Sequence, residues 1–422
     1  MRKSLLLLTS LLCTLALSGC KSKPSQPALT PSPLPTESIT KEPTLPPTPT
    51  VKTTPTPTPV PEYLLKETLL TTYGKTFPYI GTCINLGQLQ SKTYLDFLKL
   101  NYNSITLENE SKPDAVLGHA PTLLSVSDAR EKGLYIPDGY KEESVPELHF
   151  SKVDSTLKIC SENNLFFRYH TLVWHSQTPS WFFRENYDSK GAYVSPEEMN
   201  LRLEYFVRNS FRHIYNGPYA DLVYAWDITN EYVHASNSDW EKVYGAMGTS
   251  PSFVKLAFMI ADDELQTLGY RDRVSLFYND FNTYIDYGRI LELVTFINSD
   301  KKICDGIGMQ SHLSTDNPSA ISYKATMKKF LQAGYEVQIT ELDAGGKSQF
   351  TQGLYYQEIM DAVLDLKDAG GNITGITLWG LSDGNSWRSS ETPLLYSAIN
   401  KPKFAYYKVL ETYLQREQKK EN

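Results

Sequence analysis

Two glutamates each close a short apolar segment, and their type and placement suit acid–base chemistry. Glu231 ends the segment that begins at Val223, and Glu341 ends an apolar run that begins at Val337. Both runs are typical of buried β-strands, so each glutamate is expected at the C-terminal tip of a strand. Most enzymes that hydrolyse a glycosidic bond use two carboxyl groups that face each other across that bond. The chemistry therefore depends on whether the fold brings the two tips together.

The elements that must position these tips alternate regularly along the chain. Helices are predicted at Ser91–Leu100, Pro196–Tyr215, Phe253–Leu268, Tyr323–Ala333 and Tyr355–Ala369. Strands are predicted at Tyr79–Ile84, Ser104–Leu107, Leu165–Val173, Leu222–Ile228, Val274–Tyr278, Gly306–Met309, Glu336–Thr340 and Gly375–Leu378. Alternation of this kind implies an α/β fold with a parallel sheet, and eight units favour a closed (β/α)8 TIM barrel.

Polar side chains follow the predicted strands at the point where each strand ends. They are Glu108, Asn109, His170, His175, Asn230, Glu231, Asn279, Asp280, Gln310, His312, Glu341, Asp343 and Trp379. The C-terminal strand ends of a (β/α)8 barrel share one face, and that face holds the active site. The predicted fold therefore brings the two glutamates together.

Seven segments that carry these residues resemble, in order, the motifs of glycoside hydrolase family 10, the xylanase family. Two of them are WDITNE at 226–231 and ITELD at 339–343. The others are 103–112, 168–181, 277–282, 306–312 and 375–387. The matches span most of the chain beyond its proline-rich N-terminal part, so the resemblance is highly specific.

The resemblance implies a retaining endo-β-1,4-xylanase, which hydrolyses internal bonds of xylan by double displacement through a covalent glycosyl-enzyme. By position, Glu231 matches the acid/base and Glu341 matches the nucleophile. Asn230 matches the residue that hydrogen-bonds the sugar 2-hydroxyl, and His312 matches the residue that contacts the nucleophile. Asp343 is expected to orient the His312 imidazole.

The resemblance also implies a set of substrate-binding residues, with the tryptophans as aromatic walls around the scissile sugar. The set comprises Glu108, Asn109, Lys112, His170, Trp174, His175, Gln177, Gln310, Trp379 and Trp387. We predict no metal site, because the histidines near the strand ends lack cysteine or paired carboxylate partners. No cofactor is needed for this chemistry.

Three features depart from the family pattern. Tyr169 stands where the family usually has glycine, so its ring must find space beside His170. Phe281 replaces the usual tyrosine and removes a hydroxyl on the leaving-group side, from which we expect altered aglycone binding and retained activity. The stretch Gly118–Pro146 lacks clean periodicity and is expected to be an elaborated loop after the second strand, able to wall the glycone side of the cleft.

The N-terminal part of the chain is predicted to contain a targeting segment followed by a tether. Residues 1–19 are predicted to be a lipoprotein-type signal peptide, because a basic start and an apolar stretch precede Leu-Ser-Gly and Cys20, the predicted lipidation site. Residues 20–61 form a Pro/Thr-rich linker; within 24–61, 13 of 38 positions are proline. Residues 62–416 form the catalytic barrel, and 417–422 form a polar tail. This organisation predicts lipid anchoring at a bacterial cell surface, or secretion if Cys20 is not modified.

The net charge of the chain restricts the classes of molecule that it is expected to bind. The net charge of −7 argues against nucleic acid as a partner. We expect a monomer that binds xylan or xylo-oligosaccharides and contacts the bacterial membrane through its anchor. Two alternatives stay open: an enzyme of the same family that prefers β-glucan or cello-oligosaccharides, and a surface glycan-binding protein without catalysis. The second is disfavoured because both glutamates are present.

Overall fold

The computed structural model describes residues 60–346 and 348–421. The predicted signal peptide, Cys20 and all but the last two residues of the predicted linker lie outside the described residues. The boundaries assigned to those segments therefore stay predictions.

Eight parallel strands form a closed barrel. They are β1 (Tyr79–Ile84), β2 (Ser104–Leu107), β3 (Phe166–Trp174), β4 (Val223–Asn230), β5 (Ser275–Asp280), β6 (Gly306–Met309), β7 (Glu336–Gly345) and β8 (Ile373–Leu378). Each strand pairs with the next, and β8 pairs with β7 and β1, which closes the sheet on itself. The predicted (β/α)8 TIM barrel is confirmed.

Eight long helices surround the barrel. They are α1 (Lys92–Asn101), α2 (Ser151–Asn163), α3 (Pro196–Tyr215), α4 (Ser252–Leu268), α5 (Thr283–Ile297), α6 (Ala320–Gln332), α7 (Gln349–Asp368) and α8 (Phe404–Glu421). Shorter α-helices are Leu86–Leu89, Pro113–Leu117, Val126–Glu131 and Asp239–Tyr244. Single 3₁₀ turns are Glu62–Lys66, Tyr73–Lys75, Ser180–Phe183, Glu185–Tyr187, Ala220–Leu222, Tyr232–His234, Arg271–Arg273, Asp383–Asn385 and Ser389–Glu391.

The observed β7 is longer than predicted. It continues five residues beyond the predicted end at Thr340, because the short strand His312–Ser314 pairs with its last three residues. The register against β8 also shifts between Ile339 and Leu342, which is a β-bulge at Glu341. Glu341 therefore lies inside a bulged strand, whereas the sequence placed it just beyond the strand tip.

The insertion after β2 packs on the outside of the barrel. Two short strands, Leu123–Ser125 and Ser144–Pro146, pair antiparallel, and a small core of Ala129 and Val145 packs against Tyr205 of α3. The Tyr205 hydroxyl donates a hydrogen bond of 2.7 Å to the Pro146 carbonyl. The insertion is thus an elaborated loop after the second strand, as predicted, and its core belongs to the helical layer.

The described residues contain three cysteines, and none of them forms a disulfide bond. Cys83, Cys160 and Cys304 are free and buried. Among the described residues, no helix is long and apolar enough to cross a membrane.

Two further strands complete the described chain. Tyr396–Ala398 and Lys401–Pro402 form a small antiparallel ribbon between β8 and α8.

Candidate active site

A cleft of about 510 Å³ opens at the C-terminal ends of the barrel strands. It is lined by Glu108, Asn109, Lys112, His170, Trp174, Gln177, Asn230, Glu231, Phe281, Asn282, Gln310, His312, Glu341, Trp379 and Trp387. The predicted site residues therefore converge, apart from His175 and Asp343, which lie behind the lining. Phe281 lines the cleft, where its effect on aglycone binding was expected, and Asn282 lines it although the sequence assigned that residue no binding role.

Glu231 follows β4 in a left-handed conformation with φ 59° and ψ 28°. Its backbone N–H donates to the Asn279 carbonyl at 2.8 Å, which fixes the turn against β5. The Trp174 indole donates to Oε2 at 2.7 Å, and the Gln310 amide donates to Oε1 at 2.8 Å. Both donors are neutral side chains, so no cation is hydrogen-bonded to this carboxyl.

Glu341 has a different environment. Its side chain is buried, Asn279 Nδ2 donates to Oε1 at 2.8 Å, and His312 Nε2 lies 3.2 Å from Oε2. Burial alone raises the pKa of this carboxyl, but the His312 hydrogen bond and the nearby His170 and Lys112 lower it further than burial raises it. Glu341 is therefore held in its ionised form.

His312 bridges Glu341 and Asp343. The parallel pairing of His312–Ser314 with β7 sets His312 directly beside Asp343, and His312 Nδ1 lies 3.0 Å from Asp343 Oδ2. Burial disfavours the charged imidazole, yet the hydrogen bonds to both carboxylates raise the pKa of His312 to about 9. The imidazolium donates from both ring nitrogens, so the orientation of the ring is determined.

A chain of amides connects the two glutamates. Asn279 Nδ2 donates to Asn230 Oδ1 at 3.0 Å as well as to Glu341, and Gln310 Nε2 donates to Asn230 Oδ1 at 3.1 Å as well as to Glu231. Because Asn230 Oδ1 accepts both bonds, its Nδ2 group is left to donate to a molecule bound in the cleft. The sequence located Asn279 at the end of a strand and gave it no role, since only the pairing of β4 with β5 sets it opposite Asn230.

Polar residues after β2 and β3 form one side of the cleft. Lys112 Nζ donates to Asn109 Oδ1 at 3.2 Å and to Gln177 Oε1 at 2.9 Å, and it lies 4.7 Å from the centre of the Trp174 ring. Burial raises the pKa of the Glu108 carboxyl, against the opposing charge of Lys112. These groups offer several hydrogen-bond donors and acceptors beside an aromatic face, which suits a sugar ring.

His170 is held from inside the barrel. Asp227 Oδ2 lies 2.9 Å from His170 Nδ1, and the other oxygen of Asp227 accepts from Arg168 at 2.5 Å. Arg168 also donates to Gln338 of β7 at 2.6 Å. Asp227 lies in the WDITNE segment, but no local pattern of residues signals its contact with His170, which crosses from β4 to β3.

Tyr169 does not crowd His170. Consecutive side chains of a strand point to opposite faces, so the Tyr169 ring points toward the helices while His170 lines the cleft. The ring is buried and stacks on Trp226 with centroids 3.8 Å apart, and Trp226 stacks in turn on Phe211 of α3. The Tyr169 hydroxyl has no hydrogen-bond partner among the described residues.

The leaving-group side of the cleft contains an aromatic pair. Phe281 lies against the His234 ring with centroids 4.2 Å apart. His234 contacts Asp280 at 2.7 Å and Asp286 at 3.1 Å, and these bonds raise its pKa although burial opposes the charge. His175 lies behind the cleft surface, with Nδ1 4.0 Å from Glu231 Oε2, and burial lowers its pKa.

Two expectations concern what surrounds the cleft. None of the residues that line the cleft belongs to the insertion 118–146, so the insertion does not wall its glycone side. Within residues 60–346 and 348–421, no group of three or more His, Cys, Asp or Glu side chains is arranged to hold a metal ion.

Residues 68–412 match the profile of Glycosyl hydrolase family 10. The chain belongs to this family. It is therefore a glycoside hydrolase, as the resemblance of its motifs implied. The (β/α)8 barrel and the cleft at its C-terminal face are the structural context that those motifs require.

Relatives of the family 10 chain include two named xylanases. It is 44% identical over 346 residues to "Endo-1,4-beta-xylanase A" of Butyrivibrio fibrisolvens, with 82% of this chain and 84% of the relative covered. It is 38% identical to the "Bifunctional endo-1,4-beta-xylanase XylA" of Ruminococcus flavefaciens, but the match covers 34% of that longer protein and 82% of this chain.

Solved structures agree with the family assignment. The CBM22-1-GH10 modules of endo-1,4-beta-D-xylanase 10B of Clostridium thermocellum, complexed with xylohexaose, superpose with a TM-score of 0.66 at 30% identity. That match covers 80% of this chain and 66% of the other. An endo-1,4-beta-xylanase of Caldicellulosiruptor owensensis gives a TM-score of 0.64 at 26% identity, covering 81% and 99%.

Proposed function

We propose that this family 10 protein is a retaining endo-β-1,4-xylanase. The observation that carries the proposal is the contrast between two glutamates in one cleft. Glu341 is kept ionised by His312, whereas the close donors to Glu231, Trp174 and Gln310, are neutral. One carboxylate is thus prepared to attack, and the other is free to hold and exchange a proton.

The first step is attack by Glu341 on the anomeric carbon of the bound sugar. A bond forms from Glu341 to that carbon as the glycosidic bond breaks, and Glu231 gives its proton to the departing oxygen. Asn230 donates from Nδ2 to the 2-hydroxyl, a contact that strengthens as the sugar becomes oxocarbenium-like. The products are a released sugar chain and a glycosyl ester of Glu341.

The second step is hydrolysis of that ester. Glu231, now a carboxylate, takes a proton from a water molecule, whose oxygen attacks the anomeric carbon from the face that the leaving group vacated. Glu341 departs and regains its charge beside the His312 imidazolium. Two inversions at one carbon give net retention of the β configuration.

The other lining residues hold the sugar chain on the two sides of this centre. We assign Glu108, Asn109, Lys112, His170 and Gln177 to polar recognition on the glycone side, where the Lys112 and His170 contacts keep the donors in place. His175 and Gln310 support the region of Glu231, and Trp174, Trp379 and Trp387 provide the aromatic walls.

Xylan is the substrate that the relatives support. Those described above are named endo-1,4-beta-xylanases. The deciding measurement is product analysis on arabinoxylan, glucuronoxylan and mixed-linkage β-glucan side by side. We expect short xylo-oligosaccharides from both xylans and little product from β-glucan; hydrolysis of β-glucan alone would overturn the assignment.

Two further measurements separate the mechanism from its alternatives. A proton NMR time course is expected to show the β-anomer of the new reducing end before mutarotation, and an initial α-anomer contradicts retention. Glu341→Gln is expected to lower xylan hydrolysis by at least about a thousandfold. If it instead hydrolyses xylan as fast as the parent, the double-displacement mechanism fails and a glycan-binding role gains support.

We also propose that Cys20 is lipidated and that the protein is anchored at the bacterial cell surface. The support is the apolar stretch followed by Leu-Ser-Gly-Cys and the long proline-rich spacer. Expression with radiolabelled palmitate is expected to label the parent chain and Cys13→Ser, a matched control within the signal peptide, but not Cys20→Ser. An unlabelled parent chain recovered from the medium contradicts the proposal and indicates secretion.

Finally, we propose that the protein acts as a monomer on xylan without nucleic acid or other partners apart from the membrane. The support is that both glutamates and most of the predicted sugar-binding residues converge in one cleft within a single barrel, and that the net charge of −7 disfavours nucleic acid. Light scattering of the catalytic barrel, expressed without residues 1–61, is expected to give the mass of a single chain. A dimer mass at micromolar concentration contradicts the proposal.

A further inference from the structure

Arg388 lies in the loop after β8 and joins that loop to the active site. Its side chain is only 13% exposed. One edge of the guanidinium contacts Glu391 of the same loop, with Nε 3.2 Å from Oε1 and Nη2 2.7 Å from Oε2. The other edge points inward, and Nη1 donates to Asp343 Oδ1 at 2.5 Å and to the Leu313 carbonyl at 3.0 Å.

Asp343 is the group on which the loop and the reaction centre meet. Its side chain is fully buried and accepts three hydrogen bonds. Oδ1 accepts from Arg388, while Oδ2 accepts from His312 Nδ1 at 3.0 Å and from Trp387 Nε1 at 3.0 Å. One carboxylate thus fixes both the imidazole that contacts Glu341 and the indole that forms the outer wall of the cleft.

Trp387 needs such an anchor. Trp387 is 61% exposed, so packing alone does not hold its ring in place. Besides its hydrogen bond to Asp343, the Trp387 ring contacts the His312 ring at a centroid distance of 5.0 Å. Because Arg388 is the next residue in the chain, its ion pair with Asp343 limits how far Trp387 can move.

The backbone beneath the loop is shaped to admit this contact. A Cβ atom at Gly345 would lie 2.3 Å from Glu391 Oε2 and 3.0 Å from Arg388 Nη2. The Arg388–Glu391 pair therefore packs directly on the end of β7, two residues beyond Asp343. The Ala344 N–H also donates to the Pro393 carbonyl at 3.0 Å, which holds the far end of the loop on the same strand.

We propose that Arg388 is a positioning residue that couples the Trp387 wall to the nucleophile Glu341 through Asp343. The proposal rests on the function proposed above. Arg388 does not line the cleft, so it acts on the reaction through Asp343 and Trp387. It has two separable effects, one on geometry and one on charge.

The geometric effect concerns substrate binding. With Arg388 in place, Asp343 and Trp387 share one arrangement, and the sugar meets a preformed wall. Without the Arg388 side chain, the exposed Trp387 ring keeps a single hydrogen bond, to Asp343. Binding of the sugar chain must then order the loop after β8. We therefore expect a higher KM for xylo-oligosaccharides.

The charge effect concerns ionisation of Glu341. Removing a cation from this cluster makes the Glu341 carboxylate easier to protonate. The acidic limb of kcat/KM, which follows protonation of Glu341, should then move to higher pH. The titratable or charged groups that face Glu341 are His312 of the short strand His312–Ser314, Asp343 of β7, His170 of β3, Lys112 after β2, Cys83 of β1 and Glu231 across the cleft.

The experiment compares Arg388→Met and Arg388→Lys with the parent enzyme on xylotetraose across pH. Arg388→Met is expected to lower kcat/KM about tenfold, mainly through KM, and to move the acidic limb up by about half a pH unit. Arg388→Lys keeps the positive charge but cannot contact Asp343 and Glu391 at the same time through two edges of a guanidinium. We therefore expect the acidic limb of this variant at the parental pH and its KM above that of the parent.

Arg273→Met is the matched control, because Arg273 forms an ion pair with Asp221 at 2.8 Å near the start of β5, on the opposite face of the barrel. It is expected to behave as the parent in both measurements. Circular dichroism establishes that each variant folds. Parental KM and parental acidic limb in a folded Arg388→Met overturn the inference, and so does an acidic limb that moves equally in Arg388→Lys. A parent enzyme that does not hydrolyse xylotetraose instead overturns the proposed function.

Discussion

The Trp174 indole donates a hydrogen bond of 2.7 Å to Glu231 Oε2. Trp174 ends β3 and pairs with Asn230, the last residue of β4, so the contact follows from the register of two neighbouring strands. The ring therefore has two functions: its face forms a wall of the cleft, and its N–H orients the proposed acid/base.

Replacing Trp174 with phenylalanine separates these functions. Trp174→Phe keeps an aromatic face but removes the donor, so Glu231 loses one of its two oriented hydrogen bonds. We expect kcat on xylotetraose to fall about tenfold or more with a smaller change in KM. Trp181→Phe is the control, since its indole bonds the Gly118 carbonyl away from the cleft lining. Equal kcat values in the two variants would exclude an orienting role.

Glu231→Ala tests the assignment of acid and base through the leaving group. An aryl xylobioside with an acidic phenol leaves without protonation, so its first step should proceed close to the parental rate. Hydrolysis of xylan, whose leaving alcohol needs a proton, should fall by about 10²–10⁴-fold. Added azide is expected to accelerate turnover of the aryl substrate and to give a β-glycosyl azide. Equal losses on both substrates contradict the assignment.

His312→Asn tests how Glu341 stays ionised. His312 is among the groups that lower the Glu341 pKa, so its removal leaves burial less opposed and the pKa rises. The acidic limb of kcat/KM should move to higher pH, and activity at neutral pH should fall less than activity near pH 5. The pH profile on an aryl xylobioside measures this directly. A limb that stays in place would show that Glu341 is ionised by other groups.

The same imidazole makes stability depend on pH. The pKa of His312 is raised to about 9 from an ordinary value of 6.5, because Asp343 and Glu341 bind its charged form. A raised pKa stabilises the folded protein fully below pH 6.5, and this contribution is lost as the pH rises through about 9. The Tm difference between the parent and His312→Asn should therefore shrink between pH 6 and pH 10. A Tm difference that stays constant between pH 6 and pH 10 contradicts the raised pKa of His312.

Tyr169 allows a test of packing apart from catalysis. Tyr169→Ala removes a buried ring stacked on Trp226 and should lower the free energy of unfolding by about 3–5 kcal/mol. Tyr169→Phe keeps the ring and removes a buried hydroxyl that has no partner among the described residues, so we expect it to be neutral or to stabilise by about 1 kcal/mol. Denaturant titration measures both changes. A marked loss in Tyr169→Phe would indicate that the hydroxyl is hydrogen-bonded.

Much of the fold was predictable because strand and helix signals are local. All eight barrel strands were located by apolar runs of the right length, with ends that differ by a few residues. Helices α2 and α5 were not predicted. In α5, Gly288 and several β-branched and aromatic residues weaken the helical signal, and packing on the barrel compensates for it.

The sequence by itself determined which residues meet. Glu231 and Glu341 stand at the C-terminal ends of parallel strands, and barrel closure makes their convergence a consequence of strand order. Only the tertiary structure decided how they are set: the bulge at Glu341, Asn279 between the two glutamates, and Arg388 on Asp343. These contacts depend on the register between strands and loops far apart in the chain, and no local pattern of residues specifies that register.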